Sequence, residues 1–119
     1  MSPHYQTKKR FGQNFLTDKN IIEQIIRIIN PKDSDNLVEI GPGNGALTEK
    51  LLTFCPRLWT VEIDRDLVSI LKQRFMHYKN FFLIEGNALE INFSTNFAPL
   101  PIRVIGNLPY NISTPLVFH

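Results

Sequence analysis

Leu37-Val38-Glu39-Ile40-Gly41-Pro42-Gly43-Asn44-Gly45 is the stretch that decides how this chain folds. The first four residues make a run too short for a helix, bounded by a cluster of glycines, and read as a short buried strand. Glycines at 41, 43 and 45 let the backbone turn sharply and let another group approach it closely. Leu47, Leu51 and Leu52 then recur at helical spacing, so a helix is predicted to start near Ala46-Leu47. A strand passing through a glycine turn into a helix opens a βα unit. The spacing is not the dinucleotide fingerprint, which places two residues before its third glycine, and no Lys-Ser/Thr pair marks a P-loop. A purely structural βα turn would have the same sequence, so the loop alone does not establish a ligand.

The pattern repeats downstream. Leu58-Trp59-Thr60-Val61-Glu62-Ile63 reads as a second strand, and Leu67, Val68, Ile70 and Leu71 as a helical face running to about Phe75. Phe81-Phe82-Leu83-Ile84 is a third strand, stopping at Glu85-Gly86-Asn87-Ala88, and a loop rich in Asn, Phe and Pro follows. Ile102-Arg103-Val104-Ile105 is a fourth strand, ending at Gly106-Asn107-Leu108-Pro109-Tyr110. Upstream, Asp18 is placed as an N-cap before Ile21, Ile22, Ile25, Ile26, Ile28 and Ile29, all read as core-facing, with Pro31 as the stop signal. Strands alternating with helices predict an α/β fold with a parallel sheet and flanking helices. In such sheets ligands bind beyond the carboxyl ends of the strands, near the switch point in strand order. Each predicted strand here ends in a polar or glycine-bearing motif at that edge.

Length and composition set the bounds. At 119 residues the chain is one domain at most, and 43% hydrophobic content is ordinary for a globular protein. No apolar run is long enough to span a bilayer, the start lacks the apolar region of a signal peptide, and the single Cys55 cannot form an internal disulfide. A cytosolic location is the expectation. The net charge of +2 does not by itself argue for nucleic acid. From composition alone, the cluster Lys8-Lys9-Arg10 reads as a solvated terminus sooner than as an RNA-binding arm.

Chemistry concentrates at the strand ends. In nucleoside-binding sheets an acid such as Glu62, ending the strand after a glycine loop, can accept from both ribose hydroxyls; Asp64 is read as a surface carboxylate. The Asn87 side-chain oxygen is placed to accept from an adenine amino group and the Ala88 N–H to donate to the ring, although an Asn in a turn is more often a turn former. The most informative stretch is Asn107-Leu108-Pro109-Tyr110. An aromatic amine is a poor nucleophile because its lone pair is delocalised into the ring. An acceptor on its N–H, such as the Asn107 oxygen or the Leu108 or Pro109 carbonyl, draws the nitrogen towards a tetrahedral form, and Tyr110 can stack on a flipped base. Taken in isolation, a proline turn with a buried Tyr has the same sequence.

With Arg10-Phe11-Gly12-Gln13-Asn14-Phe15-Leu16, Val38-Glu39-Ile40-Gly41-Pro42-Gly43 and Asn107-Leu108-Pro109-Tyr110-Asn111-Ile112-Ser113 taken together, the chain resembles the ribosomal RNA adenine dimethylase family, in its small-subunit form. The resemblance covers nearly the whole chain. It implies a Rossmann-like S-adenosylmethionine-dependent methyltransferase fold, here truncated after the fourth strand, with residues 1–17 a basic arm carrying a cofactor motif and 18–119 a partial catalytic domain. It implies that Asn14, Leu16, Gly41, Gly43, Glu62, Ile63, Asn87, Ala88 and Asn107 hold S-adenosylmethionine, and that Asn107, Leu108, Pro109 and Tyr110 are catalytic. No metal is expected. The implied substrate is a pair of adjacent adenosines near the 3′ end of small-subunit ribosomal RNA in an immature 30S subunit, converted to N6,N6-dimethyladenosine, by an enzyme monomeric at full length. Asn87 departs from the family, which usually has Asp there. A chain ending at His119 leaves the fourth strand as an expected open edge, prone to self-association.

The same residues have other readings. Enzymes acting on DNA adenine typically begin the tetrapeptide with Asp, and those acting on protein glutamine carry two prolines; Leu108 fits neither. Enzymes acting on large-subunit RNA come closer, but Gly12-Gln13-Asn14 and Asn111-Ile112-Ser113 favour the small-subunit type. A non-catalytic ribosome-assembly factor would keep the fold without needing Asn107 and Tyr110.

Overall fold

The computed structural model describes residues 18–97, 101–106 and 114–118. Among them the chain runs α1 (Lys19–Ile29), β1 (Leu37–Ile40), α2 (Ala46–Phe54), β2 (Leu58–Glu62), α3 (Arg65–Phe75) and β3 (Phe81–Glu85). A 3-10 turn (Ala88–Glu90), the short α4 (Phe93–Asn96), β4 (Ile102–Gly106) and β5 (Thr114–Phe118) complete it. None of the described helices is long and apolar enough to cross a membrane.

Local chemistry explains the boundaries. Asp18 caps α1 by accepting from the N–H groups of Asn20 and Ile21, and Asn30 closes the helix in the left-handed conformation at φ 48°. Asp64 does the same for α3, accepting from Asp66 N at 2.8 Å and Leu67 N at 3.1 Å, so the carboxylate read as a surface group is a helix cap. One isoleucine read as core-facing is not, Ile28 being 64% exposed, and Ile70, read as part of a helical face, is 39% exposed. The buried stripe of α1 is Ile22, Ile25 and Ile29, and Ile28 lies roughly 90° round the helix from its centre. The loop before β4, read as holding only weak local structure, contains the 3-10 turn and α4 and delivers the fully buried Phe97. Asn36 fixes that loop by donating to Phe97 O at 2.5 Å while accepting from Trp59 Nε1 at 3.2 Å.

The strand order is β3-β2-β1-β4-β5. β1 lies parallel to both β2 and β4, and β2 parallel to β3. The chain therefore builds outward from β1 to β3, then crosses back to place β4 on the other side of β1. That reversal is the switch point, and it lies between the carboxyl ends of β1 and β4. One apolar layer, including Leu37, Leu47, Leu51, Leu58, Leu71 and Phe75, fills the sheet face under α1, α2 and α3. A smaller one, built on Val38, Val61, Phe97, Ile102 and Val104, fills the other.

The four parallel strands match the sequence reading. The fifth was not expected: β5 runs antiparallel to β4, with Pro115 opposite Ile105. The fourth strand is thus not the open edge, and the self-association expected of it loses its basis. Pro115 hid the strand, because a proline within a short apolar run argues against a strand except at a sheet edge, where this one lies.

Candidate functional site

The glycine loop leaves β1 with all three glycines at positive φ: 68° at Gly41, 62° at Gly43 and 93° at Gly45. Gly41 N donates to Val61 O at 2.9 Å, carrying the ladder one step past the strand. Asn44 Oδ1 accepts from Ala46 N at 3.2 Å and starts α2. Arg74, on α3, donates to Asn44 O at 2.6 Å and pairs with Glu49, bracing the loop from a distant element. The glycines differ in purpose. A Cβ on Gly43 would meet nothing within 4 Å, whereas one on Gly45 would overlap the Phe75 ring and crowd Leu71. Gly45 is required for packing, and Gly43 leaves open space beside the loop.

Glu62 ends β2 against that loop, and only 5% of it is exposed. Its Oε1 accepts from Gly43 N at 3.4 Å, and its Oε2 from Ile63 N at 3.1 Å and Asp64 N at 3.0 Å. Burial raises its pKa, with Asp64 pushing the same way, while the three backbone N–H groups pull it down. A carboxylate has about four lone-pair positions, so three such bonds leave acceptor capacity for a ligand donor, and the long bond from Gly43 can yield. Ile63 beside it is 65% exposed, an apolar surface at the same edge.

Sequence reasoning passed over Glu39. It is fully buried on β1, its Oε1 accepts from the Thr48 hydroxyl at 2.6 Å, and its Oε2 has no partner among the described residues. Burial pushes its carboxyl up to about 7, the Thr48 bond opposes that, and the charge of Glu62 adds to it. An acid inside an otherwise apolar four-residue strand was the available signal, because a buried carboxyl demands a partner. Arg74, thirty residues from the loop it braces, offered none.

Gly86 N donates to Glu62 O at 2.9 Å, so the end of β3 lies in line with Glu62. Asn87 follows, but its Oδ1 accepts from Leu89 N at 2.9 Å and caps the 3-10 turn that half-buried Ala88 begins. The turn-former reading of Asn87 is therefore realised, and one lone pair of its oxygen is occupied. β4 ends at Gly106, opposite Ile40 at the switch point. Asn14, Leu16, Asn107, Leu108, Pro109 and Tyr110 lie outside the described residues. Gly41, Gly43, Glu62 and Ile63 are brought together, with Asn87 and Ala88 at the adjoining strand end.

Residues 4–119 match the model of the family described as ribosomal RNA adenine dimethylase. The chain is 55% identical over 115 residues to ribosomal RNA small subunit methyltransferase A of Marinobacter nauticus, covering 97% of this chain and 42% of that protein. It is 54% identical over 122 residues to the protein of the same name from Pseudomonas fluorescens, covering 100% of this chain and 45% of that one. The chain thus spans less than half the length of these relatives. Among solved structures it is similar to a dimethyladenosine transferase from Plasmodium falciparum, with TM-score 0.65 and 33% identity over 78% of this chain and 33% of that one. The N-methyltransferase NodS of Bradyrhizobium japonicum, solved with S-adenosyl-L-homocysteine, shares the fold at TM-score 0.60 and 14% identity, over 83% of this chain and 71% of that one.

Proposed function

This chain belongs to the ribosomal RNA adenine dimethylase family, and from that premise we propose that it is the cofactor-binding part of an S-adenosylmethionine-dependent enzyme that dimethylates N6 of adenosine in ribosomal RNA. The observation that carries the reading is Glu62, a buried carboxylate bonded to Gly43 N with acceptor capacity to spare, beside a glycine loop with open space. That pairing fits a ribose, whose adjacent hydroxyls are donors. Gly41 and Gly43 allow close approach, Ile63 offers an apolar face to the adenine, and Asn87 and Ala88 its polar edge, with Asn14 and Leu16 as further cofactor contacts. When bound, the cofactor supplies an electrophilic methyl group on a sulfonium.

The remaining work falls to the residues after β4. Asn107 and the Leu108 or Pro109 carbonyl accept from the target amine and so direct its lone pair, while Tyr110 stacks on the base. No strong general base is needed, because the amine proton becomes acidic only once the methyl is in place. Catalysis is then chiefly orientation and local electrostatics. The finer substrate we infer is the pair of adjacent adenosines near the 3′ end of small-subunit RNA in an immature 30S particle, met in the cytosol by a monomer. The longer relatives' remaining length would supply most of the RNA grip, since Lys8, Lys9 and Arg10 offer few phosphate contacts.

Calorimetry tests the cofactor site. The chain should bind S-adenosylmethionine, and Glu62→Ala should weaken it by about 1–3 kcal/mol, the scale of an unmet buried polar contact. Unchanged affinity in a folded variant would remove Glu62 from the site. In the full-length parent, Asn107→Ala should lower methyl transfer to unmethylated small subunits on the order of a hundredfold while cofactor affinity changes far less. Near-normal turnover in that variant would sink the role given to Asn107.

A further inference from the structure

Two carboxyl groups meet at the base of the glycine loop. Glu39 lies two residues before Gly41 and is bonded to Thr48 in the first turn of α2, so it ties the loop's two ends together, and its Oε2 is buried with no partner among the described residues. Glu62 reaches the same loop from β2 through Gly43 N. Among the described residues, the elements packed around them bring no countercharge. α1 and α2 contribute buried aliphatics and Thr48, and β4 contributes Ile105. β2 contributes Thr60, whose hydroxyl donates to Phe82 O, and the start of α3 contributes another acid, Asp64. Arg103 pairs with Asp35 and acts on the Cys55 thiol, itself pushed up to about 12 and so uncharged.

Resting on the reading of this loop as an S-adenosylmethionine site, we propose that the Glu39–Glu62 pair distinguishes the cationic cofactor from its demethylated product by releasing a proton when the cation binds and recovering it when the charge is lost. On binding, the Glu39 O–H bond breaks, the proton passes to solvent, and the carboxylate left behind beneath the loop is attracted by the added positive charge. After methyl transfer the sulfur is neutral, the carboxyl takes a proton back, and the hold on product loosens. Burial keeps Glu39 titrating at about 7, and the neighbouring Glu62 charge pushes it upward. A cation in the same place acts in the opposite sense to Glu62, so it drives ionisation.

Titration calorimetry of the whole chain, in buffers of different ionisation enthalpy, counts the protons released by three probes. These are S-adenosylmethionine, sinefungin, whose protonated amine replaces the sulfonium, and S-adenosylhomocysteine, which lacks that charge. The first two should release a substantial fraction of a proton near neutrality and bind up to about tenfold more tightly at about pH 8 than at about pH 6, the limit for a group that titrates at about 7 and gives up its whole proton on binding. The third should release almost none and change less than about twofold. Glu39→Gln should erase the difference. Thr48→Val removes the bond that holds Glu39 down and should move the pH midpoint upward, a shift no purely structural role produces. Proton release that persists in Glu39→Gln, or charged probes with the pH profile of S-adenosylhomocysteine, would overturn the proposal alone. Failure of all three probes to bind the unsubstituted chain would overturn the cofactor site and this inference together.

Discussion

Gly45→Ala is expected to destabilise the domain by about 2–5 kcal/mol, the sum of two independent penalties. The first is conformational: Gly45 sits at φ 93°, ψ 17°, in the left-handed region, where a Cβ costs about 1–2 kcal/mol. The second is steric. The new methyl would overlap Phe75 and lie 3.3 Å from Leu71 Cδ2. Phe75 cannot swing away, because it is 1% exposed and its ring lies 5.4 Å from that of Phe81 and 5.9 Å from that of Tyr78. Overpacking of this kind typically costs about 1–3 kcal/mol. Gly43→Ala is the internal control, since its φ of 62° carries the strain without any overlap, and it should lose only about 1–2 kcal/mol. Urea unfolding followed by circular dichroism measures both. Pairing Gly45→Ala with Phe75→Leu should cost less than the sum of the two, because the smaller side chain makes room. Equal losses at positions 43 and 45 would show that Phe75 does not seat against the loop.

The parallel sheet was legible because its signals are local. Short apolar runs at 37–40, 58–62, 81–85 and 102–106 are separated by helical spacing and punctuated by Asp18, Pro31 and the glycines, and each signal acts within a few residues. Glu62 was legible for the same reason, as an acid at the end of the strand after the loop. What escaped depended on what the fold brings together. Ile28 was misassigned because an apolar residue at the margin of a helical stripe is buried only if a neighbour reaches that far. The bond from Arg74 to Asn44 spans thirty residues, and no spacing rule anticipates it. Asn87 carried two meanings, turn former and adenine reader, and the structure displays the first. Glu39 is the most instructive omission. It was absorbed into a hydrophobic run whose other members are buried, although one acid among them is the residue least able to be there without a reason.

That reason has a measurable consequence for stability. Glu39 ionises at 4.5 in an ordinary setting but at about 7 in the folded chain, where burial opposes its charge. Between those two values the folded chain holds a proton that the unfolded chain has already released. Stability therefore falls as pH rises through this window, and above about 7 the loss is complete. A shift of this size corresponds to about 3 kcal/mol. Glu62, also raised by burial, adds to the trend in the same direction. Glu39→Gln keeps the shape and the acceptor for Thr48 but cannot ionise. Its stability relative to the unsubstituted chain should swing upward by about 3 kcal/mol between acid and neutral pH, whatever fixed offset the amide's own unpaired N–H groups introduce. Below the ordinary carboxylate range only that offset should remain. Urea midpoints at a series of pH values measure the swing directly. A difference independent of pH would mean that Glu39 is ionised throughout and that an undetected partner meets its bare oxygen. A positive swing would identify the buried carboxyl as a group kept at the expense of stability, as expected of a residue retained for the site above it.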